Sequence, residues 1–128
     1  MKYVLDTQAL LWFVNGDSSL PKKMSEQFIT NENQIFISYV SIWEIGIKNA
    51  IGKLHLSKNL QYFIDSEIKD YKFHLLDIQL SHIIQAVSLP LHHRDPFDRL
   101  LIAQSIIENI PVISSDTMFD QYGINRIW

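Results

Sequence analysis

The chain has 128 residues, 47% hydrophobic and 20% charged, with a formal net charge of -3 and no cysteine. That size and balance predict one domain with a real core and exclude a disordered or fibrous chain, and no apolar run is long enough for a membrane span. Without cysteine there are no disulfides, thiolate zinc sites or thiol nucleophiles, and with Asp6 too early for a secretory leader the expectation is a cytoplasmic protein; the acidic balance excludes nucleic-acid binding through bulk basic charge, but not a nuclease whose acids hold cations.

Tyr3-Val4-Leu5 is a short run of strand formers ending in Asp6-Thr7, after which Ala9 to Val14 has a helical pattern. Asn15-Gly16-Asp17 breaks it, and a second helix is expected from Ser18-Ser19-Leu20-Pro21 to about Thr30. Ile35-Phe36-Ile37 reads as a strand, Ser38 to Ile51 as a helix closed by Gly52, and about Lys58 to Asp70 as a further helix. Phe73 to Leu76 is the next strand and Leu80 to Leu89 the next helix. Asp95-Pro96 then reads as an N-cap followed by proline at the first helical position. The helix it starts has Leu100, Leu101, Ile102, Ala103, Ile106 and Ile107 around most of its circumference, as in a helix buried on several sides. Pro111 to Ser115 is a strand ending at Asp116, and Asn125 to Trp128 a last edge strand. Short apolar strands alternating with helices predict a three-layer α/β/α architecture, with a mostly parallel sheet of four or five strands and residues 1–128 as a single domain. Ligands of such sheets bind beyond the carboxyl ends of the strands, near the point where strand order reverses, and Asp6 and Asp116 stand at such ends.

Each candidate acid also has an ordinary structural role open to it. Asp6 and Asp116 can cap helices, and Glu44 can close a capping box with Ser41 or pair with Lys48 one turn on. Asp98 lies in the first turn of its helix, three residues after the cap Asp95, with Arg94 and Arg99 at hand to neutralise it. The joint pattern points further, because two acids stand at strand ends and two near helix starts that a parallel sheet brings to the same edge. Converging carboxylates repel unless cations hold them, and an oxygen-only ligand set suits magnesium or manganese. His92-His93 beside Arg94 offer a phosphate site or an acid/base pair, but neighbours in an extended chain point to opposite sides, so they read as loop residues with one of them near substrate. His55, His74 and His82 lack metal-ligand spacing and read as structural, and Trp12, Trp43 and Trp128 as packing residues.

Four segments, in this order, carry a resemblance over nearly the full length: Tyr3-Val4-Leu5-Asp6-Thr7-Gln8-Ala9-Leu10-Leu11-Trp12, Ser41-Ile42-Trp43-Glu44-Ile45-Gly46-Ile47-Lys48, His93-Arg94-Asp95-Pro96-Phe97-Asp98-Arg99-Leu100-Leu101-Ile102-Ala103-Gln104 and Val112-Ile113-Ser114-Ser115-Asp116. With them the chain resembles the PIN-domain ribonucleases, in particular the VapC-like toxins of type II toxin-antitoxin pairs. The resemblance implies an acidic centre at Asp6, Glu44, Asp98 and Asp116 that holds magnesium, with manganese as a substitute, and cuts RNA. Asp95 is the competing acid for the role given to Asp98, which is preferred because the motif sets its acid directly before the apolar helix run. Thr7 and Ser115 are expected to add hydroxyls to the metal shell or orient water, and Arg94, Arg99 and Lys48 to contact flanking phosphates. The resemblance further implies a cognate antitoxin that blocks the site and binds DNA on the toxin's behalf, self-association as a dimer, and transfer RNA as the leading substrate.

Three other readings are compatible with parts of the pattern. A metal-free ribonuclease would use His92 or His93 as acid and base, and a degenerate member would only bind a partner. A phosphoacceptor domain would need paired acids after the first strand and a late lysine, and this chain has Thr7-Gln8 after Asp6 and no lysine beyond Lys72.

Overall fold

The computed structural model describes residues 1–128. Five strands, β1 (Lys2–Leu5), β2 (Gln34–Ser38), β3 (His74–Leu76), β4 (Val112–Ile113) and β5 (Arg126–Ile127), form one sheet in the order β3-β2-β1-β4-β5. Every pairing is parallel; Leu5 stands beside Ile37 on one side and Ile113 on the other, so β1 is the centre from which the chain winds both ways. The switch in strand order therefore lies between β1 and β4, and the acids at their carboxyl ends face it.

Side-chain alternation along the strands divides the core in two. Leu5, Ile35, Ile37 and Ile113 point to one face, where they meet Ala9 and Leu10 of α1 (Thr7–Asn15), Phe28 of α2 (Lys22–Phe28), Ile45 of α3 (Tyr39–Ala50) and Phe63 of α4 (Leu60–Phe63). Val4 and Val112 point to the other, against Leu89, which follows α5 (Leu80–Ser88), Leu101, Ile102 and Ala103 of α6 (Pro96–Glu108), and Phe119 of a short 3₁₀ helix (Thr117–Tyr122). The result is the expected three-layer α/β/α arrangement.

Several local expectations are corrected. The second helix starts at Lys22 rather than Ser18, because Asp17 folds a tight turn in which its carboxylate accepts the Ser19 N–H at 2.8 Å and its carbonyl the Leu20 N–H. The helix expected over residues 58–70 continues past Phe63 as a π-helical stretch, Ile64–Lys69, whose i→i+5 spacing sets Phe63 and Ile68 together in the core. Helix α3 begins at Tyr39 with Ser38 as its cap, so Ser41 lies inside the first turn and the capping box with Glu44 does not form. Ile106 and Ile107, expected inside, are partly exposed near the end of α6.

A buried amide bolts α6 to the sheet. Gln104, fully buried, accepts a hydrogen bond from the Ser38 hydroxyl at 2.5 Å and donates to the Asp77 carbonyl at 3.2 Å, tying the ends of β2 and β3 to the middle of the helix. Both partners are withdrawn from water, so the bond has no solvent substitute and the register of α6 is set by it. No helix is long and apolar enough to cross a membrane.

Candidate active site

Asp6 leaves β1 and caps α1: its Oδ1 accepts the Ala9 N–H at 2.7 Å. The same carboxylate is nearly buried, and its pKa is raised, first by desolvation and then by the charges of Asp116 and Glu44, against the lowering hydrogen bonds from Ser114 and Ala9. A structural cap and a site acid are thus one residue.

Glu44 projects from α3, buried at the same edge. The Thr7 hydroxyl donates to its Oε1 at 2.6 Å and is itself 3.0 Å from Ser41 Oγ, while the Lys48 ammonium sits 2.6 Å from its Oε2. That bond raises the Lys48 pKa, with added pull from Asp95 and Asp98. Lys48 and Thr7 both line the cleft, but each is engaged with Glu44 before any ligand arrives.

Asp98 enters from the first turn of α6. Asp95 is the cap of that helix, its Oδ1 accepting the N–H groups of Phe97 and Asp98 at 2.9 and 3.1 Å, with Pro96 at the first helical position. The Asp98 pKa is pushed up to about 7, chiefly by desolvation and next by the Asp95 charge, with smaller contributions from Glu44 and Asp6 and an opposing one from His93. Asp116 follows β4 and caps the 3₁₀ helix, Oδ1 accepting the Met118 N–H at 2.9 Å.

Asp6, Glu44, Asp95, Asp98 and Asp116 line one cleft of about 380 Å³, together with Thr7, Ser115, Lys48 and Lys53. Five carboxylates against two ammonium groups, with two of the acids raised in pKa by burial and then by neighbouring charges, is a surplus of negative charge that a divalent cation offsets. The hard oxygen donors fit magnesium or manganese. At the edge of the cleft, two of its acids and a residue behind them have potential ligand atoms all within 4.8 Å of one another: Asp98, Asp116 and His93.

His93 is the residue that sequence reasoning underrated. Its Nε2 lies 3.0 Å from Oδ2 of Asp116 and 3.0 Å from Oδ2 of Asp98. The argument from alternating side chains does not apply, because residues 91–95 form a turn and irregular loop rather than a strand. His92 is exposed, its ring set against Tyr122 at 5.3 Å.

Of the cations expected to meet substrate, Arg99 is corrected. Its guanidinium donates to the carbonyls of Ala86, Leu89, Pro90 and His93 at 2.8, 2.9, 2.9 and 3.1 Å, so it staples the loop ahead of α6 instead of facing the cleft. Tyr122 completes the staple, its hydroxyl donating to the Pro90 carbonyl and accepting the His93 N–H, both at 2.7 Å. Arg94 is exposed and stands outside the cleft lining. Nothing local in the sequence marks Arg99 as structural, since its partners lie up to thirteen residues upstream. His82, read as structural, is fully buried, its Nδ1 accepting the Gln79 N–H at 3.0 Å.

The model of the PIN domain family matches residues 3–125. No curated protein matches the chain. Among solved structures, the chain is similar to one in VapBC2 from Rickettsia felis bound to a DNA fragment from their promoter, at 18% identity and TM-score 0.74, covering 99% of this chain and 98% of that one. It is also similar to a chain of VapBC-1 from nontypeable Haemophilus influenzae (16% identity, TM-score 0.66, 99% and 97% covered) and of FitAcB from Neisseria gonorrhoeae (13%, 0.67, 98% and 96%). At these identities the likeness is one of fold.

Proposed function

Because the chain belongs to the PIN domain family, whose members are nucleases, we propose that it is a metal-dependent endoribonuclease, the toxin of a type II toxin-antitoxin pair, acting in the cytoplasm. The observation that carries this reading is the gathering of Asp6, Glu44, Asp98 and Asp116 around one cleft at the carboxyl edge of the sheet. Asp6, Asp98 and Asp116 would hold magnesium, with manganese able to replace it, and Glu44 would complete a second position or orient the attacking water. A bound divalent ion lowers the pKa of that water and stabilises charge on the phosphate and leaving oxygen.

The protein's own groups do the rest. Asp6 and Asp116 are held by the backbone amides they cap, and Glu44 by Thr7 and Lys48, so three carboxylates are oriented in advance. Ser115 in the lining would orient water, and Lys48 and Lys53 there, with the exposed Arg94 outside it, would offer positive charge to flanking phosphates. Hydrolysis leaves 5′-phosphate and 3′-hydroxyl ends. Transfer RNA is the leading substrate on the resemblance to VapC-like toxins.

The partners follow the same reading. A cognate antitoxin, covering the cleft and supplying the DNA contacts, is supported by neighbours that are VapBC assemblies. An apolar groove beside the cleft, lined by Ile42, Trp43, Ile47, Leu60 and Ile64, suits a helix of such a partner. Pairing of two copies is supported by Leu80, Ile83, Ile84, Val87 and Leu91, an exposed apolar stripe on and just after α5 at helical spacing.

The test is sequencing of RNA ends after a brief induction of the protein, with Asp98→Asn as control. New 5′-phosphate ends dependent on Asp98 are expected, and their absence sinks the metal-dependent reading. One observation favours a second reading: His93 stands against two carboxylates of the cleft, as an acid/base residue of a metal-free ribonuclease would. That enzyme would survive EDTA, fail on a 2′-deoxy substrate and leave 2′,3′-cyclic phosphate.

A further inference from the structure

We propose that His93 is a positioning residue, a hydrogen-bond donor that fixes the carboxylate of Asp116 and stands against that of Asp98, and that it does not itself ligate the metal; the proposal rests on the nuclease reading above. The three groups have the spacing of a ligand cluster, with their donor atoms within 4.8 Å of one another. Which nitrogen of the ring carries the proton decides between ligand and donor.

The Asp95 backbone N–H points at Nδ1 of His93 at 3.2 Å. A backbone amide only donates, so Nδ1 presents its lone pair, and the neutral ring carries its proton on Nε2. Nε2 in turn meets Asp116 Oδ2 in hydrogen-bond geometry at 3.0 Å and lies 3.0 Å from Asp98 Oδ2. Ligation through Nε2 would need the opposite tautomer, with a proton on Nδ1 facing the proton of the Asp95 amide. The amide that caps nothing in α6 thus has a role: it sets the tautomer of the histidine.

The ring has little freedom to escape this arrangement. The His93 N–H donates to the Tyr122 hydroxyl at 2.7 Å, its carbonyl accepts from Arg99 at 3.1 Å, and the imidazole lies tilted against Phe119 at 5.9 Å. With His93 in place, both oxygens of Asp116 are held, Oδ1 by the Met118 N–H and Oδ2 by Nε2–H. Asp98 Oδ2 lies at the same distance from Nε2 but outside that hydrogen bond, so its contact with His93 is one of charge. The staple built by Arg99 and Tyr122 acquires its purpose here, since it holds the backbone of the residue that orients Asp116 and lies beside Asp98.

The experiment has two arms on the wild-type protein and one on variants. Long-range ¹H–¹⁵N correlation of the labelled imidazoles is expected to show His93 as the Nε2–H tautomer both without metal and with added Mg²⁺; the Nδ1–H tautomer overturns the proposal. Pulsed EPR of the Mn²⁺-loaded protein is expected to show no directly bound nitrogen. A strong directly coordinated ¹⁴N coupling that disappears in His93→Gln also overturns it. By calorimetry, His93→Ala is expected to weaken Mn²⁺ binding by about 10–100-fold, as loss of an orienting partner does, while His93→Gln, which keeps an N–H donor, restores most of it. Equal losses in both variants count against the donor role. Should His93→Ala fail to fold, the two wild-type arms still decide. Failure of the folded wild type to bind Mn²⁺ at all would sink the nuclease reading instead, with the tautomer remaining as the separate test of His93.

Discussion

Replacing Asp98 by Asn removes a carboxylate that the metal-free fold holds near neutrality, so the change is expected to stabilise the protein while abolishing cleavage. Asp98 is raised from 3.8 to about 7, chiefly by desolvation and then by Asp95, with Glu44 and Asp6 adding to it. The native state therefore binds more protons than the unfolded chain between about pH 4 and pH 7, and stability falls as pH rises through that window. A shift of about three units at roughly 1.4 kcal/mol each sets an upper bound of about 4 kcal/mol on the cost of ionising Asp98 at pH 8. Neighbouring acids share that shift, and the loss of a favourable charge at a helix N-terminus subtracts about 0.5 kcal/mol, so a gain of at least about 1 kcal/mol is expected. For a domain of this size that is roughly 4 °C in Tm per kcal/mol. The assay is thermal unfolding in EDTA, wild type against Asp98→Asn, at pH 4, 6 and 8. At pH 4 the native Asp98 is already protonated and nearly isosteric with Asn, so the curves should coincide, then separate with rising pH in favour of the variant. A variant that melts at or below wild type at pH 8, or a difference independent of pH, would refute the reasoning.

Removal of the Arg99 staple by Arg99→Ala should lower stability by about 2–4 kcal/mol in chemical denaturation, because four carbonyls lose charge-assisted donors. If Arg99 were instead a phosphate contact, the loss would appear in KM with stability unchanged. Gln104→Leu should cost about 2–3 kcal/mol, since it leaves the buried Ser38 hydroxyl without its acceptor, and urea unfolding monitored by circular dichroism reads it directly. A charge on the exposed stripe, Ile84→Glu with Val87→Glu, should shift the protein to a monomer in light scattering without lowering its Tm; an unchanged mass would remove α5 as the pairing surface.

The fold was legible wherever one local rule had no competitor. Tyr3-Val4-Leu5 and Ile35-Phe36-Ile37 are apolar strands too short to be helices, and Asp95-Pro96 announces a helix start by cap and fixed φ together. Reading failed where two local rules applied to the same residues. Ser41 and Glu44 have capping-box spacing, yet Ser38 takes the cap because β2 delivers the chain there, which frees Glu44 to turn towards Thr7. Ser18-Ser19 has the composition of a helix start, but Asp17 uses the Ser19 amide for a turn.

For the site, position at strand ends and helix starts made candidates of Asp6, Glu44, Asp98 and Asp116, and the resemblance to PIN-domain ribonucleases chose among the acids; the structure brings all four to one cleft. Their electrostatics were not legible in the sequence: the Asp98 pKa depends on burial and on Asp95, Glu44 and Asp6, a set drawn from across the fold. Nor was the division of labour among the cationic and imidazole groups. His93 and Arg99 stand six residues apart in one motif, one read as a loop residue and the other as a phosphate contact, until packing set His93 against two carboxylates and Arg99 against four carbonyls. The sequence by itself determined the order of strands and helices and the parallel sheet, since these follow from short-range periodicity and chain topology. Only the tertiary structure decided which side chain donates to which, because hydrogen bonds are directional and their partners here come from residues far apart in the chain.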